Sequence, residues 1–61
     1  MFRITGQKQN VNVKECIASS ASELPDKDEC YKQSVGLGSE CFVIDTSDVY
    51  VLNDDYVWTV V

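Results

Sequence analysis

The residues that could do chemistry in this chain of 61 residues are three carboxylate pairs and three cysteines. The carboxylate pairs are Asp26 with Asp28, Asp45 with Asp48, and Asp54 with Asp55. Acid–base catalysis by paired carboxylates needs a cleft and one carboxyl group with a raised pKa. These aspartates stand instead in polar stretches, where their side chains form turns by bonding to the backbone. The chain also has no histidine, so a Ser–His or Cys–His nucleophile is excluded. We therefore expect a protein that is not an enzyme and has no catalytic residue.

The cysteines do not form a recognisable metal site. Cys16, Cys30 and Cys41 are 14 and 11 residues apart, and a structural zinc site needs four nitrogen or sulfur ligands. The pair Asp54 and Asp55 lacks the ligand spacing of a calcium-binding EF-hand loop. We expect no metal and no cofactor. An odd cysteine count without a secretory signal peptide indicates reduced thiols in a cytoplasmic product, and one bridge plus a free thiol is the alternative.

Charge and length point to protein partners. Five basic and ten acidic residues give a net charge of −5, which argues against nucleic-acid binding, because that depends on cations that neutralise phosphates. No segment approaches the ~20 apolar residues of a membrane span, so we expect no membrane contact. The acidity is explained by solubility or by an acidic face that steers toward a basic partner. A domain this short usually depends on disulfides, a metal or oligomerisation, and the third fits this sequence best.

The elements of the first two thirds of the chain are short. Residues Phe2–Thr5 and Val11–Ile17 alternate apolar and polar side chains, which predicts an N-terminal hairpin or two edge strands. For residues 22–33 two interpretations stay open. One is a short helix that begins near Ser22, with Pro25 in its first turn, and ends near Gln33. The other is an extended loop ordered by the packing of apolar side chains. Two glycines in the segment Gly36–Ser39 then indicate a positive φ or a close backbone approach.

The last third, Glu40–Val61, predicts a three-stranded antiparallel meander. The apolar runs Cys41–Ile44, Val49–Leu52 and Tyr56–Val61 are separated by short breaks of Asp, Asn, Ser and Thr. Breaks this short require antiparallel neighbours, because a parallel return needs a dozen or more residues. Both faces of these strands are apolar, whereas a sheet with one face in water would alternate with polar residues. The N-terminal half can cover one face, and a second subunit or a larger partner is expected to cover the other; a monomer whose own segments wrap both faces is the alternative.

Together these patterns predict a small, mainly β, single domain with an antiparallel sheet. Its parts are the N-terminal strands (residues 1–18), a loop or short helix (19–39) and the meander (40–61). Large apolar side chains of the meander are the expected interface or core anchors, and they are Phe42, Ile44, Tyr50, Leu52, Trp58 and Val60.

A series of landmarks in the sequence resembles a module of small virion proteins. The landmarks are Leu24 and Pro25, the run Val35–Asn53, and Trp58. Their order resembles a Leu-Pro, a Gly-Ser before an apolar strand, an Asp-Thr-Gly turn, a tyrosine strand and a tryptophan strand. This pattern is common in head-associated or fibre-like proteins of tailed bacteriophages that infect Gram-positive bacteria. Ser47 stands where the module usually has glycine, and Asp54–Val57 replaces the usual Asn-Gly or Asp-Gly turn.

The resemblance implies a non-enzymatic phage structural protein. Such a subunit would be made in the host bacterial cytoplasm, reside in the virion, and act by oligomerisation or by docking on other capsid or virion proteins. The alternative is a small acidic phage-encoded inhibitor or regulator that binds a host protein.

Overall fold

The computed structural model describes residues 1–7 and 12–61 and shows a mainly β domain. The predicted fold class is confirmed. The elements in chain order are β1 (Arg3–Gln7), β2 (Lys14–Ala18), a 3₁₀ turn (Ala21–Glu23), α1 (Lys27–Gln33), β3 (Glu40–Val43), β4 (Asp48–Leu52) and β5 (Trp58–Val60).

All five strands form one sheet in the order β1-β2-β3-β4-β5. The pairs β1–β2, β3–β4 and β4–β5 are antiparallel, as predicted, but β2 and β3 are parallel. The sheet is therefore mixed and not wholly antiparallel, and the meander is one part of it. The physical reason is the length of the segment between β2 and β3, which is long enough for a crossover that carries a helix. The second predicted strand begins later than expected, and Val11 lies outside the described residues.

The helix exists but begins five residues later than the sequence suggested. Asp26 caps it, and its side chain accepts a hydrogen bond from the amide of Glu29 at 2.9 Å. The expected start near Ser22, with Pro25 in the first turn, is wrong. Leu24 is extended because a residue before proline avoids the helical region, so the chain straightens between the 3₁₀ turn and α1. The expected end at Gln33 is confirmed.

The crossover segment covers one face of the sheet. Buried side chains on that face come from alternate positions of the central strands, and they are Cys16, Ala18, Cys41, Val43 and Leu52. Cys30 of α1 and Val35 behind it pack with Leu52, while Leu24 packs against the Cys16–Cys41 side. Trp58 contacts both clusters. One continuous apolar core therefore lies between the crossover segment and this face.

Backbone conformation explains the two glycines after the helix. The amide of Gly36 donates to the carbonyl of Asn12, and a Cβ at Gly36 would lie 2.8 Å from the Asn12 carbonyl oxygen. Gly38 has a φ of 88°, which disfavours other residues. Both roles expected of these glycines are present. Ser39 between them and β3 is buried and accepts a hydrogen bond from the Lys14 amide at 2.9 Å.

Candidate assembly surface

The face of the sheet opposite the crossover segment carries a row of side chains over four strands, with one arginine on β1 and apolar residues on β2, β3 and β4. Strand register places Arg3 beside Ile17, Ile17 beside Phe42, and Phe42 beside Val49. Partners in register point to the same face of a sheet. Because their neighbours Cys16 and Cys41 point into the core, these four side chains point away from it. We call this side of the sheet the open face.

A second row on the open face runs from charged to apolar residues. Register places Glu15 beside Glu40, Glu40 beside Val51, and Val51 beside Thr59. Glu15 and Glu40 thus bring two acidic residues side by side on adjacent strands of this face. The open face thus has an apolar centre, an acidic pair near one end of β2 and β3, and one arginine on the edge strand.

Exposure of the apolar residues shows how much of this centre faces solvent. Phe42 is 42% exposed and Val49 is 39% exposed, although both stand in the middle of a five-stranded sheet. Ile17 and Val51 are half-buried. Ile44 is 51% exposed, and its amide donates to the carbonyl of Ala18, which continues the ladder past the end of β3. Ile44 therefore extends the apolar surface along the same face.

The six expected anchors divide between the two faces. Phe42 and Ile44 belong to the open face, whereas Leu52 is only 1% exposed in the core. Tyr50 and Trp58 are half-buried on the covered face, and Val60, in register with Tyr50, is exposed at the edge.

Sequence reasoning did not select Ile17, Val49 and Val51 as anchors, although they share the open face with Phe42. Their positions in the alternating runs were visible in the sequence. Knowing that Val49 lies beside Phe42 required the register that the turn between β3 and β4 imposes.

The three thiols lie in the core and away from the open face. Cys16, Cys30 and Cys41 are free and buried. Burial raises the pKa of all three, because a thiolate loses its hydration there, and the pKa of Cys16 rises to about 12. Thiols held in the neutral form are poor nucleophiles and poor metal ligands.

In residues 1–7 and 12–61, no group of three or more Cys, Asp or Glu side chains comes together in a way that could hold a metal ion. Within the same part of the chain, no helix has the length and apolar character to cross a membrane.

Comparisons of the chain with protein-family models, with curated proteins and with solved structures find no match.

Proposed function

We propose that this protein is a non-enzymatic structural subunit that assembles through its open face, with a second copy of the chain as the first partner. The observation that carries the proposal is the apolar row of Ile17, Phe42 and Val49 in the centre of the sheet, in which Phe42 and Val49 are exposed and Ile17 is half-buried. Contiguous exposed apolar patches larger than a few hundred Å² are uncommon on monomers and mark sites of interaction.

The size of the domain supports an interface of ordinary dimensions. A stable interface buries about 800 Å² on each partner. The accessible surface of this chain is 3874 Å², so such a contact would cover about one fifth of it. Five strands of three to five residues, spaced ~4.8 Å apart, cover roughly 300–400 Å² in projection, so an interface of that size would also include loops beside the sheet.

Charge placement on the open face favours an orthogonal pair of sheets. Arg3 lies two strands from Phe42, or about 10 Å, and Glu40 lies two residues from Phe42, or about 7 Å. The direction from Phe42 to Arg3 runs across the strands, and the direction from Phe42 to Glu40 runs along them. A two-fold axis that passes over Phe42 at roughly 45° to the strands lays the first direction of one copy over the second direction of the other. Arg3 of each copy then lies above Glu40 of the other. This arrangement stacks the apolar rows and joins opposite charges at the rim.

A virion is the setting that we propose for this assembly. Support comes from the landmarks Leu24–Pro25, Val35–Asn53 and Trp58, which resemble the virion module, and from a surface suited to repeated subunit contacts. The chain would be made in the host bacterial cytoplasm and incorporated beside other head or capsid proteins. Mass spectrometry of purified particles tests this setting. Stoichiometric recovery of the chain is expected, and its absence from particles would refute the virion role while leaving the assembly surface to be tested by itself.

The second candidate is a small acidic inhibitor or regulator of a host protein. The net charge of −5 favours it, because an acidic surface attracts basic partners. A single host protein bound in stoichiometric amount, with no recovery of the chain from particles, would favour this function.

Substitution of Phe42 tests the assembly surface. Phe42→Glu places a charge at the centre of the open face without touching the core. Loss of two buried phenylalanines from a symmetric pair should weaken association by about 100-fold or more. Light scattering after size-exclusion chromatography measures the change. Leu37→Glu is the matched control, because Leu37 is 43% exposed, as Phe42 is, but lies in the connection between α1 and β3.

Charge reversal tests the orthogonal arrangement. Arg3→Glu and Glu40→Arg should each weaken the pair, and the double variant should recover most of the loss, with a smaller effect in high salt. A wild-type chain that stays monomeric at high concentration, or equal effects of Phe42→Glu and Leu37→Glu, would contradict assembly through this face.

A further inference from the structure

A cavity of about 240 Å³ opens beside the carboxyl end of α1, on a part of the molecule distinct from the open face. Buried Cys30 and Val35 line it, as do the aromatic side chains of Tyr31 and Tyr56. Pockets for drug-sized ligands are typically about 300–1,000 Å³. The smaller volume here suits a single side chain of a partner.

The structure holds Tyr56 in a conformation that tyrosine disfavours. Its φ is 60°, in the left-handed region that is normally left to glycine or asparagine. Asn53 organises the turn, because its side-chain oxygen accepts from the amides of Asp55 and Val57 at 2.9 and 3.1 Å. The Tyr56 amide donates to the Asn53 carbonyl at 2.9 Å. This turn places the Tyr56 ring against Tyr31, with ring centroids 5.0 Å apart.

The tyrosine pair already attracts an ammonium group from the same chain. The Nζ atom of Lys27 lies 6.0 Å from the centroid of Tyr31 and 5.6 Å from that of Tyr56. These distances are typical of the attraction between a cation and an aromatic ring. A side-chain hydrogen bond with Tyr31 raises the pKa of Tyr56, so the Tyr56 ring stays neutral at ordinary pH.

The surroundings of the cavity are favourable for a cation. It lies at the carboxyl end of α1, which carries the negative end of the helix dipole. The two segments that supply the tyrosines, residues 26–33 and 53–57, contain five acidic residues and two lysines. They therefore account for three of the five net negative charges of the chain.

We propose that the cavity lined by Tyr31 and Tyr56 binds the lysine side chain of a partner protein. The aliphatic stem would lie against Val35, and the ammonium would lie against the two rings. Lys27 contacts the same rings and opposes the incoming charge. This site differs in ligand and in position from the open face, so each can fail without the other.

A short peptide tests the site directly. We would titrate an acetylated and amidated tripeptide, with lysine between two glycines, into the isotope-labelled full chain. Amide resonances of Val35, Gly36 and Tyr56 are expected to shift. The same peptide with norleucine in place of lysine keeps the stem and removes the charge, and it should bind at least about two- to fivefold more weakly. No shift at these amides, or equal binding of both peptides, would overturn the proposal.

Two lysine variants separate the ring contact from general electrostatics. Lys27→Met and Lys32→Met change the net charge equally, but Lys32 pairs with Glu29 at 3.7 Å, whereas the Nζ atom of Lys27 lies over the rings. Lys27→Met should tighten peptide binding about two- to fivefold relative to Lys32→Met. Equal effects of the two variants would show that only overall charge matters and would refute the proposal.

Removal of one ring completes the test. Tyr31→Leu keeps an apolar wall and should weaken binding of the lysine peptide about two- to fivefold, while binding of the norleucine peptide stays unchanged. Tyr31 is 59% exposed, so the variant is expected to fold. Undiminished preference of Tyr31→Leu for the lysine peptide would refute the role of the rings. If Tyr31→Leu unfolds, the comparison of Lys27→Met with Lys32→Met tests that role.

Discussion

Trp58 joins three parts of the fold, and its substitution gives the sharpest test of the core. Its Nε1 donates a hydrogen bond to the carbonyl of buried Pro25 at 3.0 Å. Its ring meets Phe2 edge-on, with centroids 6.4 Å apart, and packs against both core clusters. A single side chain on β5 thus holds the N-terminal segment and the crossover segment to the sheet.

Two substitutions separate the hydrogen bond from the packing. Trp58→Phe keeps a ring but leaves the Pro25 carbonyl without its donor, which should lower the free energy of unfolding by about 1–3 kcal/mol. Trp58→Ala also removes the ring and should cost about 3–5 kcal/mol. Since a core of this size rarely supplies more than about 3–5 kcal/mol, the alanine variant should be largely unfolded at 25 °C.

Urea denaturation followed by far-ultraviolet circular dichroism measures both effects, because the variants lack the tryptophan that fluorescence would need. Val60→Ala on the same strand is the control and should cost less than about 1 kcal/mol, since Val60 is 51% exposed. A Trp58→Phe variant as stable as the wild type would show that the hydrogen bond to Pro25 contributes nothing. A cooperatively folded Trp58→Ala variant would refute the central position of this ring.

Three further predictions concern the backbone and the thiols. Ser47 has a φ of 58°, in the left-handed region that strains any residue except glycine. Ser47→Gly should therefore raise the free energy of unfolding by about 0.5–1 kcal/mol in the same denaturation experiment. A decrease would contradict strain at this position. Gly36→Ala should lower the free energy of unfolding by about 1–3 kcal/mol, because the new Cβ would lie 2.8 Å from the backbone of Asn12. An unchanged free energy of unfolding would show that the backbone moves apart at little cost. Burial raises the pKa of Cys16 in the folded chain to about 12, compared with 9.0 for an ordinary thiol. As pH rises, this thiol therefore loses its proton in the unfolded chain before it does so in the folded chain. Stability should therefore be unaffected by this thiol below pH 9 and fall between pH 9 and 12, and Cys16→Ala should reduce that slope when thermal midpoints are measured across the range.

The sequence predicted the strands well where turn chemistry marks their ends. Asp45–Asp48 and Asn53–Asp55 separate the apolar runs, and the three C-terminal strands pair antiparallel as those short breaks require. The helix start was missed because Pro25 can stand inside a first turn or before a cap. The capping hydrogen bond of Asp26, which decides between them, is a property of the folded chain.

The structure adds residues to the apolar face that the sequence predicted, whereas the cover expected for that face stays a prediction. Apolar side chains on both sides of the meander led us to expect a partner there. The parallel pairing of β2 with β3 could not be read from local pattern, because it depends on how the crossover segment packs. Without that pairing, neither Ile17 nor the acidic neighbours Glu15 and Glu40 could be placed beside the meander.

Fluorine NMR of a chain labelled with fluorophenylalanine shows whether the open face becomes covered when the protein assembles. The chain has two phenylalanines, and they serve as site and control, since Phe42 lies on the open face and Phe2 packs against the core. As protein concentration rises through the range in which sedimentation shows association, the Phe42 resonance should shift and lose contact with solvent, while the Phe2 resonance should stay in place. A Phe42 resonance that does not change while the protein associates would contradict the account.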